Sequence, residues 1–444
     1  MKKVITYGTF DMLHYGHINL LRRARALGDY LVVGITSEDF DKQRGKINVK
    51  QSLYDRINAV KSTGLVDEII VEEYVGQKID DIIKYGIDVF AIGSDWKGKF
   101  DYLSNFCQVV YLPRTKGISS SSIRNNMSTL KMGYIGNSTI LGKFYNETAY
   151  VNGLKQSLVL TNTPSFIKKN IKENNVNFAK NVEECIDNSD VVYIVSDPEK
   201  NYSLVENLLN KGINVISEAP ICLSRKEFDN LSDIADKNNL ILFDAIKTAY
   251  STAYHRIVLF AKSGIIGDIV SVDATCTSLS SSYAKSEDAK WGSLFAWGPT
   301  ALLPVFQLLG CNYKSKEILT SYSKDKTIDV FTAINFVYEK AIASIKVGRN
   351  VKSEGQLIIS GTKGCIYVPA PWWKTDYFEV HFENSNDNKR YYYELNGEGI
   401  RDMLLCVYDN ISTKKNLTFI SKNETREIIG VIEDWKNKVD TIEI

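Results

Sequence analysis

The sequence predicts an α/β protein with two successive doubly wound parallel-sheet domains, followed by an α+β domain built on a mainly antiparallel sheet. Strand-like apolar runs alternate with helical patterns over residues 1–127 and again over 130–246, as in parallel sheets covered on both faces. Beyond these, strand-like stretches recur with little helix between them. A length of 444 residues also favours several domains over one core. We therefore expect domains at 1–128, 129–247 and 248–444.

Composition excludes several classes of protein. The chain has 54 basic and 53 acidic residues, so its net charge of +1 gives no electrostatic case for binding nucleic acid or an anionic membrane. Its seven cysteines are an odd number without a CxxC pair, which indicates reduced thiols and not a disulfide framework or a zinc site. A strand pattern starts at once and no apolar run approaches the length of a membrane span. We expect a cytoplasmic protein with no signal peptide and no membrane insertion.

In the first domain the elements follow one another in regular alternation. The predicted strands are 3–7, 30–35, 67–71, 87–92 and 108–112, and the predicted helices are 17–27, 51–63 and 77–85. Ligands of such sheets bind beyond the carboxyl ends of the strands. Two such ends carry unusual residues: the decapeptide 8–17 after the first strand and the segment that starts at Arg114 after the last.

The decapeptide reads Gly8-Thr9-Phe10-Asp11-Met12-Leu13-His14-Tyr15-Gly16-His17 and contains two of the four histidines of the chain. It lies between a strand and a helix, where the free N–H groups and the macrodipole of the helix attract anions. Imidazoles can donate hydrogen bonds to phosphate, and Gly16 permits close backbone approach. The pattern indicates a phosphate-binding turn. A pair of ordinary structural histidines is the alternative, and the strand–turn–helix context disfavours it.

This decapeptide is the signature of the HxGH nucleotidyltransferases, and residues 1 to about 127 closely resemble their glycerol-3-phosphate cytidylyltransferase branch. Further matches lie at 27–33, 93–101 and 111–119. The resemblance implies attack by a substrate phosphate on the α-phosphorus of CTP, with loss of pyrophosphate and no covalent intermediate. Such a protein positions two polyanions and neutralises charge on the transferring phosphorus.

Site residues follow from the resemblance, position by position. It implies catalytic roles for His14, His17, Lys46 and Arg114. Nucleotide contacts are implied for Thr9, Phe10, His14, Tyr15, Gly16, His17, Lys46, Asp95, Arg114, Thr115, Gly117, Ile118, Ser119 and Ser120. The acceptor would meet Asp11, Arg44 and Lys78, with Arg44 where the family has a lysine. Taken alone, each of these basic residues is typical of a solvated surface charge. Mg²⁺ is expected through the CTP phosphates, with no dedicated metal site.

Residues 130–444 resemble the Gfo/Idh/MocA oxidoreductases, which pair an NAD(P)-binding Rossmann half with a sheet-based substrate half. Supporting stretches are 217–220, 262–269 and 361–373. The resemblance implies cofactor contacts from Gly133, Gly136, Asn137, Ser138, Asn162 and Glu218. Several markers differ from the family pattern. Ser138 replaces the second glycine of the fingerprint, Ala219 replaces the lysine of Glu-Lys-Pro, and Ala296 and Thr300 replace the later Asp and His.

A second lysine could take over the missing role. The run 244–250 resembles a stretch found in a subgroup of this family, and it places Lys247 where the Rossmann half meets the sheet half. Reduction of a carbonyl needs a proton donor for the developing alkoxide, and Lys247 or Tyr250 could supply it. The alternative for Lys247 is an interdomain ion pair.

Taken together, these observations predict a fused enzyme of capsule or teichoic acid synthesis. The first domain would make a CDP-polyol, expected to be CDP-glycerol, from CTP and glycerol phosphate. The second part would reduce a keto precursor with NAD(P)H and supply the alcohol. Two alternatives stay open: an inactive oxidoreductase-like scaffold, or another acceptor such as a different polyol phosphate, phosphocholine or phosphoethanolamine. The resemblance also implies a homodimer.

Overall fold

The computed structural model describes the chain except for residues 14, 44–48, 50, 75, 114–128, 173–175, 280–290, 394, 396 and 415–417. Two compact units divide it, Met1–Ser128 and Thr129–Ile444. The predicted fold class is confirmed, with two parallel sheets followed by a mixed, largely antiparallel one. Among the described residues, no helix is long and apolar enough to cross a membrane.

The first unit is built on a five-stranded parallel sheet in the order β3-β2-β1-β4-β5. Alternate residues of a strand point to opposite faces, so Val4 and Ile5 enter separate apolar cores on the two sides of the sheet. The strands are β1 (Lys3–Gly8), β2 (Tyr30–Thr36), β3 (Glu68–Glu72), β4 (Val89–Gly93) and β5 (Gln108–Leu112). The helices are α1 (Tyr15–Arg25), α2 (Glu38–Gln43), α3 (Leu53–Lys61) and α4 (Gln77–Tyr85), with 3-10 turns at Ser94–Trp96 and Asp101–Asn105. The strand order reverses beside β1, so the loop that follows β1 lies at the switch point where such sheets bind ligands.

The second unit begins with another five-stranded parallel sheet, in the order β10-β9-β8-β6-β7. Its strands are β6 (Leu130–Gly136), β7 (Leu154–Leu160), β8 (Val191–Val195), β9 (Asn214–Ser217) and β10 (Leu242–Asp244). The helices around it are α5 (Thr139–Thr148), α6 (Pro164–Asn170), α7 (Val182–Asp187), α8 (Pro198–Asn210) and α9 (Arg225–Lys237). Here the switch point lies between β6 and β8.

The rest of this unit is a nine-stranded sheet in the order β18-β17-β16-β15-β11-β14-β13-β12-β19. The pairs β11–β14 and β12–β19 are parallel and the others are antiparallel. The strands are β11 (Ile269–Ser278), β12 (Ser315–Tyr322), β13 (Asp329–Val337), β14 (Ile342–Arg349), β15 (Leu357–Gly361), β16 (Cys365–Val368), β17 (Tyr377–His381), β18 (Lys389–Tyr392) and β19 (Thr441–Glu443). The helices are α10 (Thr252–Lys262), α11 (Ser293–Leu309), α12 (Ile400–Thr413) and α13 (Lys422–Lys436), with 3-10 turns at Lys247–Tyr250, Trp372–Lys374, Ser385–Asp387 and Gly397–Gly399.

Strand and helix patterns in this part predict strands at 269–279, 328–337, 340–348, 355–360, 364–368 and 377–383, and helices at 252–263, 300–309 and 423–438. The structure differs most at α11, which begins at Ser293 and not at residue 300. Its first turn is held by Asp329 of a distant strand, whose carboxylate accepts a hydrogen bond from the Leu294 amide at 2.9 Å. Strands β12, β18 and β19 and helix α12 have no counterpart among the predicted elements.

Candidate functional site

The loop after β1 brings the first predicted group of site residues to the switch point. Phe10 and Met12 adopt φ angles of 53° and 50°, in the left-handed region that costs a non-glycine residue about 1 kcal/mol or more. The Phe10 ring is buried, and it packs on the ring of His17 with a centroid distance of 5.4 Å. Because α1 begins at Tyr15, His17 lies in its first turn. The strained loop thus places an imidazole at the N-terminus of a helix, an arrangement suited to phosphate.

Gln51 forms two hydrogen bonds with this loop. Its amide N–H donates to the buried Asp11 carboxylate at 3.0 Å, and its side-chain Oε1 accepts from the Met12 amide at 2.7 Å. These two bonds cross between residues far apart in the chain and hold the left-handed loop in one conformation. Asp11, predicted to meet the acceptor, therefore also supports the loop.

Beneath the loop lies a buried polar cluster formed by Thr9, Thr36, Asp41 and Arg56. The Asp41 carboxylate accepts from the Thr9 hydroxyl at 2.8 Å and from the Thr36 hydroxyl at 2.6 Å. Arg56 Nη1 donates to the carbonyls of Thr9 and Thr36, each at 2.9 Å, and meets Asp41 at 3.3 Å. The side chains of Arg56 and Asp41 are fully buried. The cluster joins the ends of β1 and β2 and fixes the backbone of Thr9, a predicted nucleotide contact.

Lys78 lies at the start of α4, at the same carboxyl edge of the sheet. It forms an ion pair with Glu72, and its ammonium lies 4.6 Å from the Tyr7 ring centroid and 5.4 Å from that of Phe100. The Tyr7 hydroxyl donates to Asp81 at 2.8 Å, and burial, with help from Asp81, raises the pKa of that phenol. This charge is therefore held in place by an aromatic and acidic pocket and is not a solvated surface lysine.

The predicted residues that the structure describes converge on this edge: Thr9, Phe10, Asp11, Gly16, His17, Lys78 and Asp95, with Asp95 exposed in the turn after β4. Tyr15 is the first residue of α1. The remaining predictions, His14, Arg44, Lys46, Arg114, Thr115, Gly117, Ile118, Ser119 and Ser120, lie outside the described residues. Sequence reasoning missed Thr36, Asp41, Gln51 and Arg56.

In the second unit, the turn after β6 carries the predicted cofactor residues. Gly136 has a φ of 147°, and a Cβ on it would lie 2.1 Å from the Val195 carbonyl oxygen, so only glycine fits where β6 meets β8. Ser138 caps α5, because its hydroxyl accepts from the Ile140 amide at 3.3 Å. Asn137 Oδ1 accepts from the Thr161 hydroxyl at 2.7 Å and from the Asn162 amide at 2.9 Å, which ties the turn to the end of β7. This turn lies where a Rossmann fold would bind a dinucleotide pyrophosphate, and Ser138 already accepts one helix N–H that a phosphate could otherwise accept.

Gly133 has a different position from the other fingerprint residues. It lies inside β6, three residues before the turn, where a Cβ would come within 2.3 Å of the Ser189 hydroxyl. Close packing against Ser189 explains why this position requires glycine, and no contact with a cofactor is needed to explain it.

A cavity of about 190 Å³ opens at this switch point. It is lined from the parallel-sheet half by Ser138, Glu218 and Lys247 and from the other half by Trp297 and Trp373. The Tyr193 hydroxyl donates to Glu218 at 2.6 Å. The other predicted proton donor, Tyr250, lines a separate cavity of about 390 Å³. Of the two candidates, Lys247 is the one that the structure brings to the switch-point cavity.

Lys247 is one of three lysines that meet a single carboxylate. Glu398 contacts the ammonium groups of Lys143 at 2.9 Å and of Lys247 and Lys374 at 3.0 Å each. Burial lowers the pKa of Lys247, and the attraction of Glu398 opposes this effect only in part. Burial raises the pKa of Glu398, but Lys247 and the three hydrogen bonds outweigh it and bring that pKa down to about 2. The predicted ion-pair alternative for Lys247 is thus present, and the same geometry keeps a titratable proton donor at the cavity.

Asp244, at the end of β10, gives a testable pH effect. It is buried beside the larger cavity, and burial, reinforced by Glu218 and opposed by Thr425, raises its pKa from 3.8 to about 7. Between these values the folded state holds a proton that the unfolded state has released, so stability falls as pH rises from about 4 to about 7.

We expect Asp244→Asn to remove this dependence. When the pH rises from 5 to 8, the unfolding free energy of the wild type should fall by about 3 kcal/mol more than that of the variant, at about 1.4 kcal/mol per pKa unit. Urea unfolding at both pH values measures it, with exposed Asp233→Asn as the control. Equal pH slopes for the wild type and Asp244→Asn would contradict the assignment.

The geometry is typical of two classes of protein. The first unit has the strand–turn–helix arrangement of a nucleotidyltransferase, and the second has the strand–turn–helix start of a Rossmann fold. Comparison with family models agrees. Residues 5–126 match the model described as cytidylyltransferase-like, and residues 130–245 match that of the oxidoreductase family with an NAD-binding Rossmann fold.

Relatives of known name make the first match specific. A glycerol-3-phosphate cytidylyltransferase of Bacillus spizizenii is 52% identical over 130 residues, covering 29% of this chain and 100% of the relative. That of Staphylococcus aureus is 49% identical, covering 29% and 96%. An ethanolamine-phosphate cytidylyltransferase of Dictyostelium discoideum is 32% identical, covering 28% and 36%. The chain belongs to the cytidylyltransferase family through its first unit. In its second unit, residues 130–245 match the Gfo/Idh/MocA oxidoreductase model.

Solved structures resemble the second part in fold. A 3-ketoreductase from Actinomadura kijaniata, in complex with NADP and TDP-benzene, has a TM-score of 0.61 at 12% identity, covering 71% of this chain and 100% of that one. An oxidoreductase from Agrobacterium radiobacter, in complex with NAD⁺, L-tartaric acid and magnesium, has a TM-score of 0.60 at 14% identity, covering 70% and 96%.

Proposed function

We propose that the first unit makes a CDP-polyol, CDP-glycerol, and pyrophosphate from CTP and glycerol phosphate, and that the second unit reduces a keto precursor with NAD(P)H to supply the alcohol. A role in capsule or teichoic acid synthesis follows from that product. The observation that carries the proposal is the strained loop of Phe10 and Met12, beside which His17 lies in the first turn of α1. The relatives of this unit, at 52% and 49% identity, are glycerol-3-phosphate cytidylyltransferases.

In the first unit the residues position CTP and the acceptor phosphate and neutralise their negative charge. The acceptor phosphate attacks the α-phosphorus of CTP in line, and pyrophosphate leaves from the opposite side. His17 and the N-terminus of α1 would stabilise charge on the transferring phosphoryl group, and the buried polar cluster keeps Thr9 in register with them. Lys78 supplies a fixed positive charge on the acceptor side. Mg²⁺ would enter bound to the phosphates of CTP.

In the second unit, the Gly136 turn, Asn137 and the start of α5 would hold the dinucleotide, which supplies a hydride when bound. Lys247 lies where the carbonyl oxygen of a substrate in the switch-point cavity can receive a proton. Burial lowers the pKa of Lys247, which favours release of that proton. Trp297 and Trp373, whose ring centroids are 4.8 Å apart, form an apolar wall of the cavity.

Calorimetric titration of the whole chain tests the second half of the proposal. We expect NADH or NADPH to bind, with CTP as the positive control. Ser138→Asp is the matched variant: aspartate also caps helices, but its charge would repel the pyrophosphate and weaken dinucleotide binding about 100-fold. CTP binding should stay unchanged.

One alternative is that the second unit is an inactive scaffold. It is favoured by Ser138 and Ala219, which replace family residues, and it predicts that neither dinucleotide binds while CTP still does. The choice of acceptor is tested separately by rates with glycerol phosphate, another polyol phosphate, phosphocholine and phosphoethanolamine. A homodimer, which the cytidylyltransferase resemblance implies, is tested by the molar mass in solution.

A further inference from the structure

The switch-point cavity holds a cluster of lysines of which the proposed function uses one, Lys247. Lys143, Lys247 and Lys374 line the cavity. Among the described residues, the carboxylate of Glu398 meets all three ammonium groups. Three ammonium groups against this one carboxylate leave the cluster an excess of two positive charges. A cavity that is partly buried holds such an excess at a cost unless its ligand is anionic.

The backbone at Glu398 keeps the three ammonium groups together. Gly397, Glu398 and Gly399 all have positive φ angles, of 61°, 53° and 83°. A Cβ on Gly399 would lie 2.4 Å from the Lys247 carbonyl oxygen, so the turn is fitted closely against the segment that carries Lys247. A left-handed glutamate is strained, and strain of this kind recurs at ligand-binding sites. Here it aims one carboxylate at lysines from three distant parts of the chain.

We propose that Lys143, Lys247 and Lys374 form a binding site for a phosphate group of the carbonyl substrate, which makes that substrate a phosphorylated small ketone. A phosphomonoester dianion matches the excess of two positive charges, and a neutral ketone does not. The three ammonium groups already lie within hydrogen-bond distance of one carboxylate, so the arrangement that a phosphate needs exists before it binds. Glu398 acts as a positioning residue for them. This inference rests on the proposed reduction in the second unit.

Lysine-to-methionine variants test the site, because methionine keeps the length of the side chain and removes its charge. Lys143→Met and Lys374→Met are the test variants, since their side chains are 47% and 34% exposed and neither is the proposed proton donor. Lys422→Met is the matched control, because Lys422 is half-exposed and pairs with one carboxylate, that of Asp236, at 2.6 Å. Circular dichroism verifies that each variant is folded, and either test variant suffices if the other is not.

Calorimetric binding to the whole chain is measured with inorganic phosphate, dihydroxyacetone phosphate and unphosphorylated dihydroxyacetone. We expect the two phosphate-bearing probes to bind the wild type and Lys422→Met alike, and dihydroxyacetone to bind neither. Each test variant should bind dihydroxyacetone phosphate at least about tenfold more weakly. Phosphate sites of the first unit are the same in every variant, so this difference reports the second unit alone.

Three outcomes would overturn the proposal. The first is equal binding of dihydroxyacetone phosphate to all four proteins, and the second is no binding to the wild type. The third is loss of NADPH binding in the test variants with dihydroxyacetone phosphate unaffected, which would assign the lysines to the phosphates of the dinucleotide. The proposed reduction is tested separately: if neither NADH nor NADPH binds the wild type, the reduction itself is ruled out. Dinucleotide binding without ketone-phosphate binding would leave the reduction standing and remove this site.

Discussion

Replacement of His17 by alanine is expected to lower kcat for pyrophosphate release from CTP by about 10²–10³-fold, the usual cost of removing one preorganised donor from a transition-state site. The reason is positional. His17 lies in the first turn of α1, and its ring packs on a Phe10 ring that a left-handed backbone holds in place. Initial rates at saturating CTP and glycerol phosphate measure the effect. The KM for CTP should change less than kcat, because charge on the phosphoryl group grows in the transition state.

Two comparisons make this result specific. His17→Gln keeps a hydrogen-bond donor and should recover part of the rate. His381→Ala removes a histidine of the second unit, one that pairs with Glu379 at 2.6 Å, and should leave the rate unchanged. A rate for His17→Ala within threefold of the wild type would rule out a catalytic role for this residue.

Much of the first site could be predicted because its information is local. A strand, a short loop and a helix start follow one another in the chain, so their geometry follows from their order. The strain at Phe10 and Met12 is not visible in this way, because it depends on burial of the Phe10 ring. The segment from Arg114 onward was predicted on the same local grounds, and those predictions remain untested.

The buried polar cluster shows why other residues could not be predicted. Thr9, Thr36, Asp41 and Arg56 are ordinary residues far apart in sequence, and a charged arginine on a short helix is typically exposed. Only the tertiary fold brings them together. The same holds in the second unit, where the pattern at 244–250 places Lys247 at a junction but gives no sign of Glu398, Lys143 or Lys374. Local motifs predict which segment reaches a site, and long-range packing decides what fixes it there.

Arg56→Met is expected to destabilise the first unit by about 3–5 kcal/mol, because it leaves the fully buried Asp41 carboxylate without its cation. Urea unfolding gives the free energy, and hydrogen exchange of peptides from β1 and β2 assigns the loss to this unit. Arg25→Met is the control, since its ion pair with Asp67 is about one-third exposed and is worth less than about 1 kcal/mol.

The double variant Arg56→Met/Asp41→Asn separates loss of a charge from loss of packing. A buried ion pair is costly to break but can be replaced by neutral groups at little cost. We therefore expect the second substitution to restore part of the lost stability, although Asp41→Asn alone is destabilising. Because Arg56 also binds the Thr9 carbonyl, Arg56→Met should raise the KM for CTP in the protein that remains folded. Equal stability of Arg56→Met and Arg25→Met would show that the buried ion pair does not stabilise the first unit, and an unchanged KM for CTP would show that the cluster does not fix the loop at Thr9.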